Sequence, residues 1–150
     1  MGTRSTIALE YADNTVHQVY CHWDGYLDHN GRILFEHYKD PYKLRDLMDL
    51  GDVSSLGREI GEQHPFSPHT SKKDEAAYNA AQEAGWCTIY ARDRGETGVQ
   101  AKKFEDFEDY VENHQYEEYE YILRLDGKWY VSTDNGVYTE LETLLLKETA

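Results

Sequence analysis

Ser5-Thr6-Ile7-Ala8-Leu9-Glu10-Tyr11-Ala12-Asp13-Asn14-Thr15-Val16-His17-Gln18-Val19-Tyr20-Cys21-His22-Trp23-Asp24-Gly25 is the stretch that decides the fold. Ile7, Leu9 and Tyr11 occupy alternate positions, so Ser5 to Tyr11 reads as a strand with one apolar face. Asp13-Asn14 is a turn signal, because both side chains bond nearby backbone and tolerate left-handed conformations. Alternation resumes from Val16 to Trp23, which predicts a hairpin. Trp23-Asp24-Gly25 ends it, with the Asp24 side chain expected to bond backbone N–H groups of the next segment. A second hairpin is predicted from Tyr119 to Leu125 and from Lys128 to Thr133, around an Asp126-Gly127 turn.

Helical signals lie between and after the hairpins. Leu27, Leu34 and Tyr38 make one stripe in the later part of Tyr26 to Tyr38. Asp40-Pro41 is an N-cap followed by Pro at the first helical position, Leu44, Leu47 and Met48 form the stripe, and Gly51 sits at the C-terminal glycine position. Asp74 to Ala84 is alanine-rich and closed by Gly85. Trp86 to Tyr90 reads as a short strand, and Phe104 to Asn113 as an acidic amphipathic helix with Phe104, Phe107, Tyr110 and Val111 inward. Leu141, Leu144 and Leu145 close the chain with a short helix. The order is not an alternating βαβ pattern. It predicts an α+β fold, a mainly antiparallel sheet of about five strands with three to four helices packed on it.

A length of 150 residues predicts one domain over 1–150, and Pro65, Pro68 and the polar residues around them mark 63–73 as a mobile loop. With 13 Tyr against 4 Phe and 39% hydrophobic residues, the core must be built from Tyr, Trp and Leu. No run approaches the length of a membrane span, and Met1-Gly2-Thr3-Arg4-Ser5 lacks an apolar signal core, so a cytoplasmic location is expected. Cys21 and Cys87 make neither a disulfide nor a zinc framework and are expected to be reduced and buried. Fifteen Lys and Arg against 29 Asp and Glu give a net charge of −14, which argues against direct binding of nucleic acid.

Cys21-His22-Trp23-Asp24-Gly25-Tyr26 is the densest polar cluster, at a strand end where binding groups are common. Adjacent strand residues point to opposite faces, so Cys21 and His22 cannot activate each other, and Cys21 reads as a small buried hydrophobe. His22, Asp24, His29 and His37 have the donor types of a transition-metal site, but their spacing fits no compact signature, and no metal is expected. In Arg92-Asp93-Arg94-Gly95-Glu96, a strand continuing to Arg94 would put Arg92 and Arg94 on one face. Two guanidinium forks could then clamp a phosphate; the alternative is an internal salt-bridge network.

The charge is uneven: residues 105–150 carry 3 basic and 13 acidic groups. Eight carboxylates fall between Glu105 and Glu120, with no Lys or Arg. On a helix Glu105, Glu108, Asp109 and Glu112 make one stripe, in which like charges cost roughly 0.2–0.5 kcal/mol per pair. Glu118 and Glu120 would share one strand face beside Tyr119. A solvated acidic face is one reading. The other is a partner-binding surface, since carboxylates spaced like phosphates attract a basic protein and tyrosines suit interfaces.

Cys21-His22-Trp23-Asp24-Gly25-Tyr26, His37-Tyr38, Leu50-Gly51-Asp52-Val53-Ser54-Ser55-Leu56-Gly57 and Arg92-Asp93-Arg94-Gly95-Glu96 together resemble a family of small uncharacterised phage and prophage proteins. The resemblance covers most of 3–98 and the final hairpin, with 63–84 longer than the family pattern. It implies a phage setting, in which small acidic proteins without enzymatic motifs resemble inhibitors of host defence or metabolism. The expectation is therefore a non-enzymatic inhibitor, without cofactor, whose acidic Tyr-rich surface occupies the basic site of a host protein, such as a defence or nucleic-acid-binding factor. The alternative is a binder of a nucleotide-like small molecule. In that reading His22, Trp23, Asp24 and Tyr26 line a pocket, Trp23 stacks on a base, and Arg92 and Arg94 hold a phosphate. A hydrolase or metal enzyme on the same cluster lacks a nucleophile–base pair and ligand spacing.

Overall fold

Both faces of β1 (Ser5–Glu10) are buried, which marks it as the middle of a sheet covered on two sides. The computed structural model describes residues 3–69, 71–114, 116–133 and 137–149. β1 pairs antiparallel with β2 (Val16–Cys21), Ile7 opposite Val19. Their turn uses Asn14 at φ 77, and Asp13 Oδ1 accepts the Thr15 N–H at 3.0 Å. The remaining strands are β3 (Val53–Ser55), β4 (Thr88–Ile89), β5 (Lys102–Phe104), β6 (Tyr119–Leu123), β7 (Trp129–Ser132) and β8 (Thr139–Glu140). They run in the order β4-β3-β2-β1-β6-β7-β8, with β5 also beside β2.

The fold is α+β, but the sheet has eight strands and is mixed: β1 with β6 and β2 with β3 are parallel, and the other pairings are antiparallel. β3, β5 and β8 are the unforeseen strands, each of two or three residues, too short to show a period. The β1–β6 pairing, with Ile7 opposite Tyr121, joins chain segments from opposite ends of the sequence. It needs a long crossover, and the residues between the two hairpins supply it.

The described residues hold six α-helices: α1 (Arg32–His37), α2 (Pro41–Leu50), α3 (Lys72–Glu83), α4 (Tyr90–Arg94), α5 (Phe107–Asn113) and α6 (Leu141–Thr149). That exceeds the three to four expected. A π-helical turn, Leu27–Gly31, leads into α1. α2 begins as its residues dictate: Asp40 accepts the Tyr42 N–H at 2.9 Å, and Pro41 follows. Leu44, Leu47 and Met48 of α2 join Leu34 and Tyr38, Leu141 and Leu145 against the sheet residues Ile7, Leu9, Val19, Tyr121 and Leu123. Each such side chain contributes about 1.5–3 kcal/mol on burial. Tyr38 and Trp129 of this core keep their polar ends bonded. Tyr38 donates to Gly57 O at 2.7 Å, and Trp129 Nε1 donates to Tyr38 O at 3.1 Å.

The opposite face carries a second cluster of Ala8, Val16, Phe104, Tyr110 and Ile122, covered by α5. The helix expected from Phe104 to Asn113 is therefore two elements. Phe104 belongs to β5, and Asp106 caps a helix that starts at Phe107. The strand expected from Trp86 to Tyr90 is Thr88–Ile89, after which the chain turns into α4. Ser71 caps α3, so Lys72 and Lys73 are helical rather than part of a loop over 63–73, and Thr70 lies outside the described residues. His64 anchors the start of that segment, its backbone N–H donating to Asp93 Oδ1 at 3.1 Å and its Nε2 lying 3.2 Å from Thr88 Oγ1.

Candidate functional site

The acidic segment divides into structural and outward-facing carboxylates. Asp106 Oδ1 accepts the Asp109 N–H at 2.8 Å, and Asp109 Oδ2 accepts the Glu105 N–H at 2.9 Å. This reciprocal arrangement satisfies amides at the α5 N-terminus, where negative charge is favoured. Asp109 also accepts from Asn113 Nδ2 at 2.8 Å, so its carboxylate is committed to the helix.

Glu120 needs correction as a surface residue: it is 2% exposed. Its Oε2 lies 2.7 Å from His114 Nε2 and accepts the Glu117 N–H at 3.3 Å, and its Oε1 accepts from Tyr138 OH at 3.4 Å. His114 Nδ1 donates to Tyr110 O at 2.6 Å, because a carbonyl can only accept. Burial works to lower the His114 pKa, but the bond to Glu120 and its charge outweigh that and raise it. The pair ties α5 to β6. It faces inward because Glu120 follows the same strand face as Ile122. Tyr119 is half-buried, its ring stacked with Tyr121 at 6.3 Å.

Glu105, Glu108, Glu112 and Glu118 remain exposed, and none of the ion pairs among the described residues includes them. The fold widens their patch. A shallow groove of about 540 Å³ brings Asp13, from the β1–β2 turn, together with Glu105, Asp106 and Glu108. Its floor is Phe107, over which the Arg124 guanidinium lies at 3.6 Å while pairing with Glu10 at 3.0 Å. Five carboxylates, with Glu10 paired to Arg124, thus converge around one apolar ring.

The second predicted group does not assemble as expected. Trp23 and Tyr26 are exposed, and His22 Nδ1 lies 2.8 Å from Tyr20 OH with its ring edge-on to Trp23. Asp24 adopts φ 58, and its backbone carbonyl, not a side-chain cap, accepts the Asn30 N–H at 3.2 Å. Arg92 and Arg94 are on a helix, where residues two apart diverge, so the shared strand face that suggested a phosphate clamp is absent. Arg92 donates to the carbonyls of Ile60, Gly61 and Cys87 and pairs with Asp93 at 3.0 Å. Asp93, with no exposed side chain, also accepts the Ile89 N–H at 2.8 Å. Arg94 pairs with Glu96 at 2.7 Å and lies over Phe66. The internal network is the arrangement observed.

A cleft of about 400 Å³ lies nearby instead. Asp24, His29, Ile33 and His37 form one wall, and Leu56, Gly57, Arg58, Gln82 and Trp86 line the rest. Glycines shape it. A Cβ on Gly57 would lie 2.1 Å from Gly85 O, and one on Gly61 2.2 Å from the Trp86 ring. Of the residues expected to line a pocket, Asp24 lines this cleft, and His22, Trp23, Tyr26, Arg92 and Arg94 do not. Arg58, Gln82 and Trp86 carried no local pattern, and the one available signal was Gly57 in the Leu50–Gly57 motif. Among the described residues no three His, Cys, Asp or Glu side chains are grouped to hold a metal ion. Cys21 and Cys87 are buried thiols. Burial pushes Cys21 up to about 12 and also raises Cys87, which accepts the Gly57 N–H at 3.2 Å. Both are poor nucleophiles.

No described helix is long and apolar enough to cross a membrane. No family model matches the chain, and no curated protein or solved structure matches it either.

Proposed function

We propose that this chain is a non-enzymatic binding protein that engages a basic face of a protein partner through α5 and the adjoining groove. The observation that carries the reading is the convergence of Asp13, Glu105, Asp106 and Glu108 around Phe107. Residues far apart in sequence build one acidic concavity, in which a partner's Lys or Arg can reach the exposed carboxylates beside the Phe107 ring that Arg124 already covers. The contact set is Glu105, Glu108, Glu112 and Glu118, with Tyr119 at its margin; Asp109 and Glu120 hold the surface in place. The resemblance to phage proteins directs the proposal to a host protein whose basic site is covered.

The test compares the wild type with Glu105→Lys/Glu108→Lys/Glu112→Lys as immobilised bait in host lysate at low and high salt. All three side chains are exposed, so the variant is expected to keep its circular dichroism and melting temperature. A partner held by the wild type should be lost from the variant and released by salt, because exposed charges are screened within about 8–10 Å at physiological ionic strength. A partner retained equally by the folded variant sinks the proposal.

A further inference from the structure

The cleft beside Trp86 is polar on both walls, and the hydrogen bonding within it fixes which groups donate. Asn30, fully buried behind His29, donates through Nδ2 to Ser5 Oγ at 3.3 Å, Cys21 Sγ at 3.3 Å and Trp23 O at 3.2 Å. Its other carboxamide atom is therefore the oxygen, and His29 Nδ1, at 2.9 Å from it, must donate. The neutral His29 ring then has Nε2 as an acceptor. With the Asp24 carboxylate, that wall offers two acceptors to a ligand.

The other wall offers donors. Arg58 is exposed, and among the described residues its guanidinium makes one hydrogen bond, to Glu83 O at 3.4 Å, which leaves N–H groups for a ligand. Gln82 adds an amide, one of whose N–H groups donates to Thr88 Oγ1 at 3.5 Å. Trp86 supplies a flat ring, backed by Gly61 where a Cβ would clash with it, and Leu56 and Ile33 add apolar contact. A ligand that satisfies the whole lining has a flat ring, hydroxyl or amino donors, and one anionic group. The volume of about 400 Å³ falls at the small end of ligand pockets, roughly 300–1,000 Å³. A bare anion leaves Trp86, Asp24 and His29 unused.

We propose that this cleft binds a nucleoside monophosphate, with its phosphate on Arg58, its base against Trp86, and its hydroxyl or amino groups on Asp24 and His29. The inference does not rest on the acidic surface, because α1 packs on one face of the sheet and α5 on the other.

The test is a titration of the full chain with AMP, GMP, CMP, UMP, adenosine and inorganic phosphate, read by calorimetry and by the Trp86 indole resonance. At least one nucleotide should saturate and shift that resonance, with adenosine and phosphate each binding at least about tenfold more weakly. Arg58→Gln should weaken the nucleotide by about tenfold or more, the scale of a lost charge-assisted bond. Asp24→Asn, which keeps the shape of the wall, provides a second variant and should weaken binding while the melting temperature holds. Four nucleotides that fail to saturate, or phosphate alone binding as tightly as a nucleotide, overturn the inference. So does nucleotide binding that both folded variants retain in full.

Discussion

Removing the Glu120 side chain should destabilise the protein strongly, although the sequence places Glu120 in an acidic run that looks solvated. In Glu120→Ala, His114 loses the carboxylate at 2.7 Å, and the Glu117 amide and Tyr138 hydroxyl lose an acceptor. The His114 side chain is 0% exposed, so water cannot replace what is lost without opening α5 from the sheet. Breaking one side of a buried pair costs about 3–5 kcal/mol. At roughly 2–4 °C per kcal/mol for a chain of this size, the melting temperature should fall by about 6–20 °C. The effect is also pH-dependent. His114 has a raised pKa in the folded state, so the stability it gains from Glu120 is fully present below its unfolded value of about 6.5 and is lost as pH rises through the folded value. The gap between wild type and Glu120→Gln should thus be widest near pH 6 and narrow toward pH 9. Thermal unfolding followed by circular dichroism across that range measures both effects. A Glu120→Ala loss within about 0.5 kcal/mol, typical of a surface change, refutes the reasoning, as does a gap that widens with rising pH.

Gly57→Ala should cost at least about 2 kcal/mol, because the new Cβ would meet the backbone of Gly85 at 2.1 Å and the core there cannot yield cheaply; chemical denaturation measures it. Asp106→Ala should lose about 1 kcal/mol by removing the cap that accepts the Asp109 N–H, with faster amide exchange confined to the first turn of α5. Asp24→Gly should be neutral or stabilising by up to about 1 kcal/mol, since φ 58 suits glycine; a clear loss of stability would show that the Asp24 carboxylate holds the fold.

Much of the fold was legible because long elements announce themselves. β1 and β2 alternate, Asp126-Gly127 makes a tight turn with Gly127 at φ 81, and Asp40-Pro41 opens α2. The parallel pairing of β1 with β6 was not legible, because nothing local in either strand distinguishes a parallel from an antiparallel neighbour. Phe104 fits the α5 period and so reads as the first residue of that helix; within Lys102–Phe104 it instead pairs with β2, where Val16–Gln18 override that preference. At the candidate sites, the acidic run was visible, but its division was not. Glu118 and Glu120 look alike in sequence, but β6 begins at Tyr119, so Glu118 lies outside the strand and stays exposed while Glu120, on the strand face of Ile122, turns inward to His114. Asp13 joins the groove through the sheet, and Arg58 meets Asp24 and His29 in the cleft only because Gly57 and Gly85 let two backbones touch.

The most direct measurement places a photo-crosslinking amino acid at single positions of the folded chain and identifies the protein adducts formed in host cells. Positions 105 and 112 sample the acidic surface, position 82 the cleft, and position 146 the exposed side of α6. If α5 is the binding face, one and the same partner is captured from 105 and 112 and not from 82 or 146. Capture of that partner from 82 or 146, with nothing from 105 and 112, contradicts the acidic surface as the site of binding.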